Sequence, residues 1–202
     1  TDASKVRRIE YEGKFYSSRG PLNVVRSPQN GPALIQAGRS PKGIELAAKY
    51  ADAVFAIYPR ATDAAAYYAE VKNKVAELGR DPDHCAILFG AQPVIGSSEA
   101  EALEKQEEHN SLVPLEGGMA ILSGHLNFDL SKLSPDDYMM SRDEPELQRS
   151  RRVYQKENGE SMTVSEVAQR HGESVGLPQF VGTPQSVADQ FEAFFDEVGG
   201  DG

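Results

Sequence analysis

From residue 33 onward the chain alternates short apolar runs with stretches whose apolar residues recur every third or fourth position. Residues 33–37 (ALIQA) form an apolar run between Pro32 and Gly38, which predicts a strand. Residues 42–50 follow as a helix with Ile44, Leu46, Ala47 and Ala48 available for burial. Residues 52–57 (DAVFAI) predict a second buried strand. Beyond Tyr58 and Pro59 a helix starts near Thr62 and Asp63, aligns Tyr67, Tyr68, Val71, Val75 and Leu78 on one face, and closes at Gly79. Residues 85–95 (CAILFGAQPVI) predict a third strand, interrupted by Gly90 and Pro93, and Ser97, Ser98 and Glu99 open a charged helix to about residue 108. The order is β-α-β-α-β-α.

Near-continuous apolar strands separated by helices imply an α/β fold with a parallel sheet covered on both faces, as in a β/α barrel or a doubly wound sheet. Three strands are too few for either. Residues 97–182 exceed an ordinary βα connection and read as an insertion or lid with one helix over about 163–173. A last helix begins at Thr183 and Pro184 and offers Val187, Phe191, Phe194, Phe195 and Val198 for burial. Residues 11–30, rich in Gly, Ser, Pro and Asn, read as a loop-rich approach. The first residue is Thr1, and the last helix runs into Gly-Gly-Asp-Gly, which normally turns a chain toward another strand. The expectation is part of a larger parallel-sheet protein, and open edges left on such a part would be covered by another copy, hence a homo-oligomer.

Composition narrows the class. At 39% hydrophobic and 26% charged content, 202 residues suit one globular domain or part of one. No apolar run reaches the length of a membrane span, and residues 1–10 lack the apolar centre of a secretory signal. The single cysteine, Cys85, excludes an internal disulfide framework and a cysteine-rich zinc site, which matches a reducing cytoplasm. A formal net charge of -10 opposes nucleic-acid binding. The one basic cluster, Arg149 to Arg152, is short and follows an acidic stretch.

The junction ALIQAGRSPKG holds the most suggestive chemistry. Gly38 lets a ligand approach the backbone past a strand end, while Ser40 and Pro41 fit the N-cap and first position of a helix. Free amide N–H groups, the positive end of the helix dipole, the Ser40 hydroxyl and the cations Arg39 and Lys42 would together favour a phosphate. The same grammar recurs at Thr183-Pro184 after Gly182, so Ser40 serves equally as a plain helix cap.

Several blocks in order, the segment GKFYSSRGPLNVVRSPQNGPALIQAGRSPKGIELAAKYADAVF, then NFDLSKL, then VGTPQSVADQFEAFF with GGDG, resemble the luciferase-like flavin-dependent monooxygenases, specifically the nitrilotriacetate and dibenzothiophene-sulfone monooxygenase branch. The resemblance implies the later strands of a (β/α)8 TIM barrel over residues 1–202, with residues 97–182 as its insertion. It also implies reduced FMN supplied by a separate NAD(P)H-dependent flavin reductase, and transfer of one oxygen atom from dioxygen to a small organic substrate. The flavin phosphate would sit at Gly38, Arg39 and Ser40. Two other readings stand beside it: a deazaflavin-dependent oxidoreductase of the same superfamily, and a non-catalytic assembly module.

The remaining polar residues have plain readings. His84 and His109 read as loop and helix-end residues and His171 as a helix residue, all at the surface; His125, in SGHLNFDL, lies in the lid where it can approach a substrate or, as the plainer reading, stand as an exposed loop residue. Asp129 caps the DLSKL turn, and Met139 and Met140 pack. EAEALEKQEEH lacks histidines at metal-ligand spacing and reads as a solvated helix face, so no metal site is expected.

Overall fold

Asp52 shows how the sheet is started. Its carboxylate accepts the Leu34 amide at 2.8 Å and its carbonyl the Ala86 amide at 2.9 Å, so one residue aligns the beginnings of three strands. The computed structural model describes residues 2–141, 143–148, 154–156 and 158–202. Two units are considered separately, divided after Ala33.

The first unit holds a 3-10 turn, Ala3–Lys5, and an antiparallel pair of two-residue strands, β1 (Tyr11–Glu12) and β2 (Ser17–Ser18). It buries none of its described residues. The loop-rich expectation for residues 11–30 therefore holds apart from this short ladder.

In the second unit β3 (Ile35–Gln36), β4 (Ala53–Ala56) and β5 (Ala86–Phe89) form a parallel sheet in that order. The connections are α1 (Pro41–Tyr50) and α2 (Ala61–Glu77). Residues 44, 47, 48 and 51 recur at helical spacing, so Ile44, Ala47, Ala48 and Ala51 are buried with Val54, Ala56, Tyr67, Val71, Val75, Cys85 and Ile87. Leu46 falls on the opposite face of α1 and is 52% exposed, against expectation. Gly79 takes φ +76° and ends α2 as the pattern required.

The run 85–95 is two strands. β5 stops at Phe89, the Gly90 amide still donates to Ala56, and after the break β6 (Gln92–Ile95) pairs in parallel with β7 (Gln179–Gly182). A Cβ at Gly90 would lie 2.5 Å from Leu177 Cδ2, so a side chain there would push the Leu177 side chain aside. A single apolar run thus serves two sheets. The five parallel strands do not close a ring.

α3 (Glu99–Ser111) starts at the Ser98 cap and packs on β6 and β7; α7 (Pro184–Val198), capped by Thr183, packs on α2 and β7. Of the expected apolar face of α7, Val187 and Val198 are buried, Phe191 and Phe194 half-buried, and Phe195 exposed. Phe191 stacks on Phe180 at 4.5 Å, and Phe194 meets Phe89 edge-on at 6.1 Å.

Between α3 and β7 a second core forms. It is built by α4 (Leu115–Leu126), α5 (Pro145–Gln148), α6 (Val164–Ser174) and two 3-10 turns, Leu130–Lys132 and Met139–Ser141. α6 matches the helix expected there and starts in a capping box, with Glu166 N donating to Thr163 Oγ1 and Thr163 N to Glu166 Oε2. α4 is a correction, since the segment around His125 read as a loop. Its glycines obscure the helical pattern, yet they are what lets α4 meet α6. A Cβ on Gly118 would lie 2.2 Å from the Ala168 carbonyl oxygen, and one on Gly172 3.2 Å from Gly118 Cα. Asp129 caps the Leu130–Lys132 turn and Met139 is buried, as expected. The basic cluster Arg149 to Arg152 lies outside the described residues.

Candidate functional site

At the C-terminal ends of β3 and β4 a cleft of about 380 Å³ opens. Open α/β sheets bind ligands at this end of their strands. One wall carries Gly38 and Arg39, the floor Phe55 to Ile57, and the far wall His125 and His171 with Val175.

The junction after β3 is built in steps. Ser40 is extended at φ -74° and ψ 153°, and its Oγ accepts the Gly43 amide at 3.1 Å, which makes it the N-cap of α1. Pro41 brings no donor, and the Ile44 amide goes to the Ser40 carbonyl at 2.9 Å. The Lys42 amide is left without a partner among the described residues, and the Ser40 hydroxyl proton is free because Oγ acts there as acceptor. The cap reading is therefore observed, and the donors an anion needs remain beside it. A Cβ at Gly38 would lie 2.6 Å from Gln36 Nε2, so a side chain there would displace the Gln36 amide that now packs against the glycine. Gln36 Oε1 is buried without a hydrogen-bond partner. The Gly38 carbonyl accepts Tyr67 Oη at 2.9 Å, which ties the junction to α2.

Arg39 is exposed, and its guanidinium lies over the Tyr58 ring at 5.4 Å. Tyr58 and Tyr67 rings sit 5.1 Å apart. Burial raises the Tyr58 phenol above its ordinary value while the Arg39 charge pulls the other way, and burial pushes Tyr67 up to about 12. Burial favours the neutral form of both phenols, and the Tyr58 phenol lies within hydrogen-bonding reach of Arg39. Gly38 and Arg39 thus stand in the cleft wall, while Ser40 sits one residue behind it as the cap.

On the far wall His125 is exposed, as expected, but its partnership with His171 was missed from sequence. His125 is in the last turn of α4 and His171 on α6, half-buried, with His125 Nδ1 2.8 Å from His171 Nε2 and the rings edge-to-face at 4.9 Å. A spacing of seven puts Gly118 and His125 on one face of α4, and the glycine contact with α6 that faces it brings the two imidazoles together. The signal lay in that shared face. His84 and His109 are exposed, as expected. Among the described residues there is no group of three or more metal-ligating side chains.

A family model described as luciferase-like monooxygenase matches residues 3–202. The chain belongs to that family. It is 35% identical to the dibenzothiophene-sulfone monooxygenase of Rhodococcus erythropolis, across all of this chain and 46% of that protein. It is equally 35% identical to nitrilotriacetate monooxygenase component A of Aminobacter aminovorans, across 99% of this chain and 45% of that protein. Among solved structures, DmoA from Hyphomicrobium sulfonivorans superimposes with a TM-score of 0.85 at 31% identity over all of this chain and 43% of that one. A riboflavin lyase (RcaE) solved with modified FMN and riboflavin gives 0.81 at 25% identity over all of this chain and 44% of that one. The chain spans about half the length of the curated relatives it matches.

Proposed function

We propose that the chain is part of an FMN-dependent, two-component monooxygenase that oxygenates a small organic substrate, with its strands as the later part of a TIM barrel. The observation that carries this reading is the junction Gly38, Arg39 and Ser40, with unpaired donors beside a cleft at the strand ends, in a chain of this family. The residues fit an FMN phosphate. The Lys42 amide and the Ser40 hydroxyl supply donors, the Arg39 guanidinium brings a positive charge to the same junction, and the α1 dipole favours the anion. Reduced FMN, when bound, supplies the electrons with which dioxygen delivers one atom to the substrate and the other to water.

Around that chemistry the protein's own work is holding and shielding. Phe55, Ala56, Ile57 and Val175 make most of the cleft apolar, which keeps water from the reacting groups. Residues 97–182, which include α4 and α6, act in this reading as an insertion over the barrel mouth. The printed name of the nitrilotriacetate relative, component A, supports a separate reductase as partner. A cytoplasmic homo-oligomer completes the proposal.

Anaerobic titration of reduced FMN into the protein and its Arg39→Ala variant tests this. The expected result is saturable binding weakened at least tenfold by the substitution, followed on admission of air by flavin reoxidation coupled to oxygenated product. Binding indifferent to Arg39→Ala would overturn the phosphate assignment, and no flavin binding by the full-length protein that contains this chain would overturn the function.

A further inference from the structure

We infer that Tyr58 is a positioning residue for the anion site: its ring holds the Arg39 guanidinium at the junction after β3, so that a flavin phosphate meets a cation already in place. That the anion is the phosphate of FMN rests on the function proposed above. The hold on Arg39 does not.

Arg39 needs a hold because of where it stands. It is an exposed residue of the cleft wall, and a long cationic side chain in water samples many rotamers, whose loss on binding subtracts from affinity. Its guanidinium carbon lies 5.4 Å from the centre of the Tyr58 ring. A cation at that distance from an aromatic face is attracted to it. The Tyr58 phenol is also within hydrogen-bonding reach of Arg39, and burial raises that phenol while the Arg39 charge opposes the rise. The guanidinium fork carries more N–H donors than one phenol oxygen can accept, so donors remain for an anion.

Tyr58 is itself fixed from two sides. It follows β4, is half-buried and packs against the first core. Its ring lies 5.1 Å from that of Tyr67 on α2 and meets the Phe89 ring at the end of β5 edge-on at 6.4 Å. Tyr67 in turn donates its hydroxyl to the Gly38 carbonyl at 2.9 Å. Gly38 and Arg39 are thus fastened together, the backbone by Tyr67 and the side chain by Tyr58. Because the ring that holds the side chain packs on the ring that holds the backbone, the cation keeps its place relative to the Lys42 amide and the Ser40 hydroxyl.

The test compares anaerobic binding of reduced FMN with that of reduced riboflavin, which has the same rings and no phosphate, in the full-length protein that contains this chain. Tyr58→Leu should weaken FMN binding roughly two- to fivefold, the worth of an exposed cation–π contact, and leave riboflavin binding unchanged. In an Arg39→Ala background the same substitution should have no further effect on FMN. Tyr58→Phe, which keeps the ring face, should lie closer to the wild type than to Tyr58→Leu. Equal losses for FMN and riboflavin would make Tyr58 a packing residue and overturn the inference, as would an undiminished effect of Tyr58→Leu without Arg39. Removing a ring packed on the core can cost the fold, so a second readout uses the wild type alone: ¹⁵N relaxation of the Arg39 Nε–H without flavin. A held side chain should give an order parameter above about 0.6, and a lower value would overturn the hold. Failure of FMN binding would strike the proposed function, while the order parameter would still decide the hold on Arg39.

Discussion

Ser40 combines two contributions that one substitution separates. Its Oγ accepts the Gly43 amide, so Ser40→Ala should cost about 1 kcal/mol of stability through the cap. If the hydroxyl proton also meets the flavin phosphate, reduced-FMN affinity should fall by a further 1.5–3 kcal/mol, roughly one to two orders of magnitude. Thermal unfolding without cofactor and anaerobic titration measure the two effects independently, and a stability loss with unchanged affinity would leave Ser40 a cap alone. Tyr67 offers a second test of the junction. Its phenol is pushed up to about 12 by burial, so in the folded protein it keeps its proton where the unfolded chain has already lost it. The folded state then binds more protons than the unfolded one, and stability should be full below pH 10 and decline as pH rises from there toward 12. Tyr67→Phe should flatten that decline in denaturation curves taken across the alkaline range, at a cost near neutrality of roughly 0.5–1.5 kcal/mol for the lost bond to Gly38. The cap and its donors were legible because Gly38, Arg39, Ser40 and Pro41 act through their neighbours in sequence. The Tyr67 hydroxyl was legible only as a core position, since its partner lies in another element.

Two glycines of α4 should respond in opposite ways. A Cβ at Gly118 meets the Ala168 carbonyl at 2.2 Å, which is backbone and cannot step aside, so Gly118→Ala should destabilise by roughly 1–3 kcal/mol and pull His171 away from His125. Gly124 has nothing within 4 Å of its Cβ position, and Gly124→Ala should stabilise by about 0.5–1 kcal/mol through helix propensity. Urea unfolding of both variants checks the pair, and equal signs would refute the close-packing account. The same glycines explain why α4 escaped the sequence reading. Helices α1, α6 and α7 announce themselves by caps and, like α2, by apolar residues at 3.6-residue spacing, whereas in LEGGMAILSGHL the contact face is made partly of glycine, which carries no hydrophobic signal. His125 was consequently assigned to a loop. His171 was assigned to the surface because an amphipathic helix shows its polar residues but not which neighbour covers them.

At the scale of the molecule, the chain's last residues are joined to its centre. Asp201 accepts the Ile87 amide at 2.8 Å and pairs with Lys72 at 2.8 Å, its own amide donates to Ile87, and the Gly202 carbonyl takes the Phe89 amide at 2.7 Å. Lys72 also donates to the Pro82 and Cys85 carbonyls, so it keeps partners when Asp201 is lost. Asp201→Ala should therefore cost about 2 kcal/mol, the worth of a hydrogen bond to a charged group, with an unchanged urea m-value. That residues 201 and 202 line the edge of β5 was not legible in the sequence, because their partners lie more than a hundred residues earlier. The break at Gly90 bears on time as well as form. β5 pairs with a strand one helix earlier, whereas β6 must wait for residues 179–182, beyond the whole second core. Short loops close at lower entropic cost than long ones, so the chain should assemble in an order, with the β4–β5 ladder first and the β6–β7 ladder last. Pulse-labelled hydrogen exchange during refolding should find the Leu88 amide protected before that of Val94, and simultaneous protection would mean that the two halves of this apolar run nucleate together.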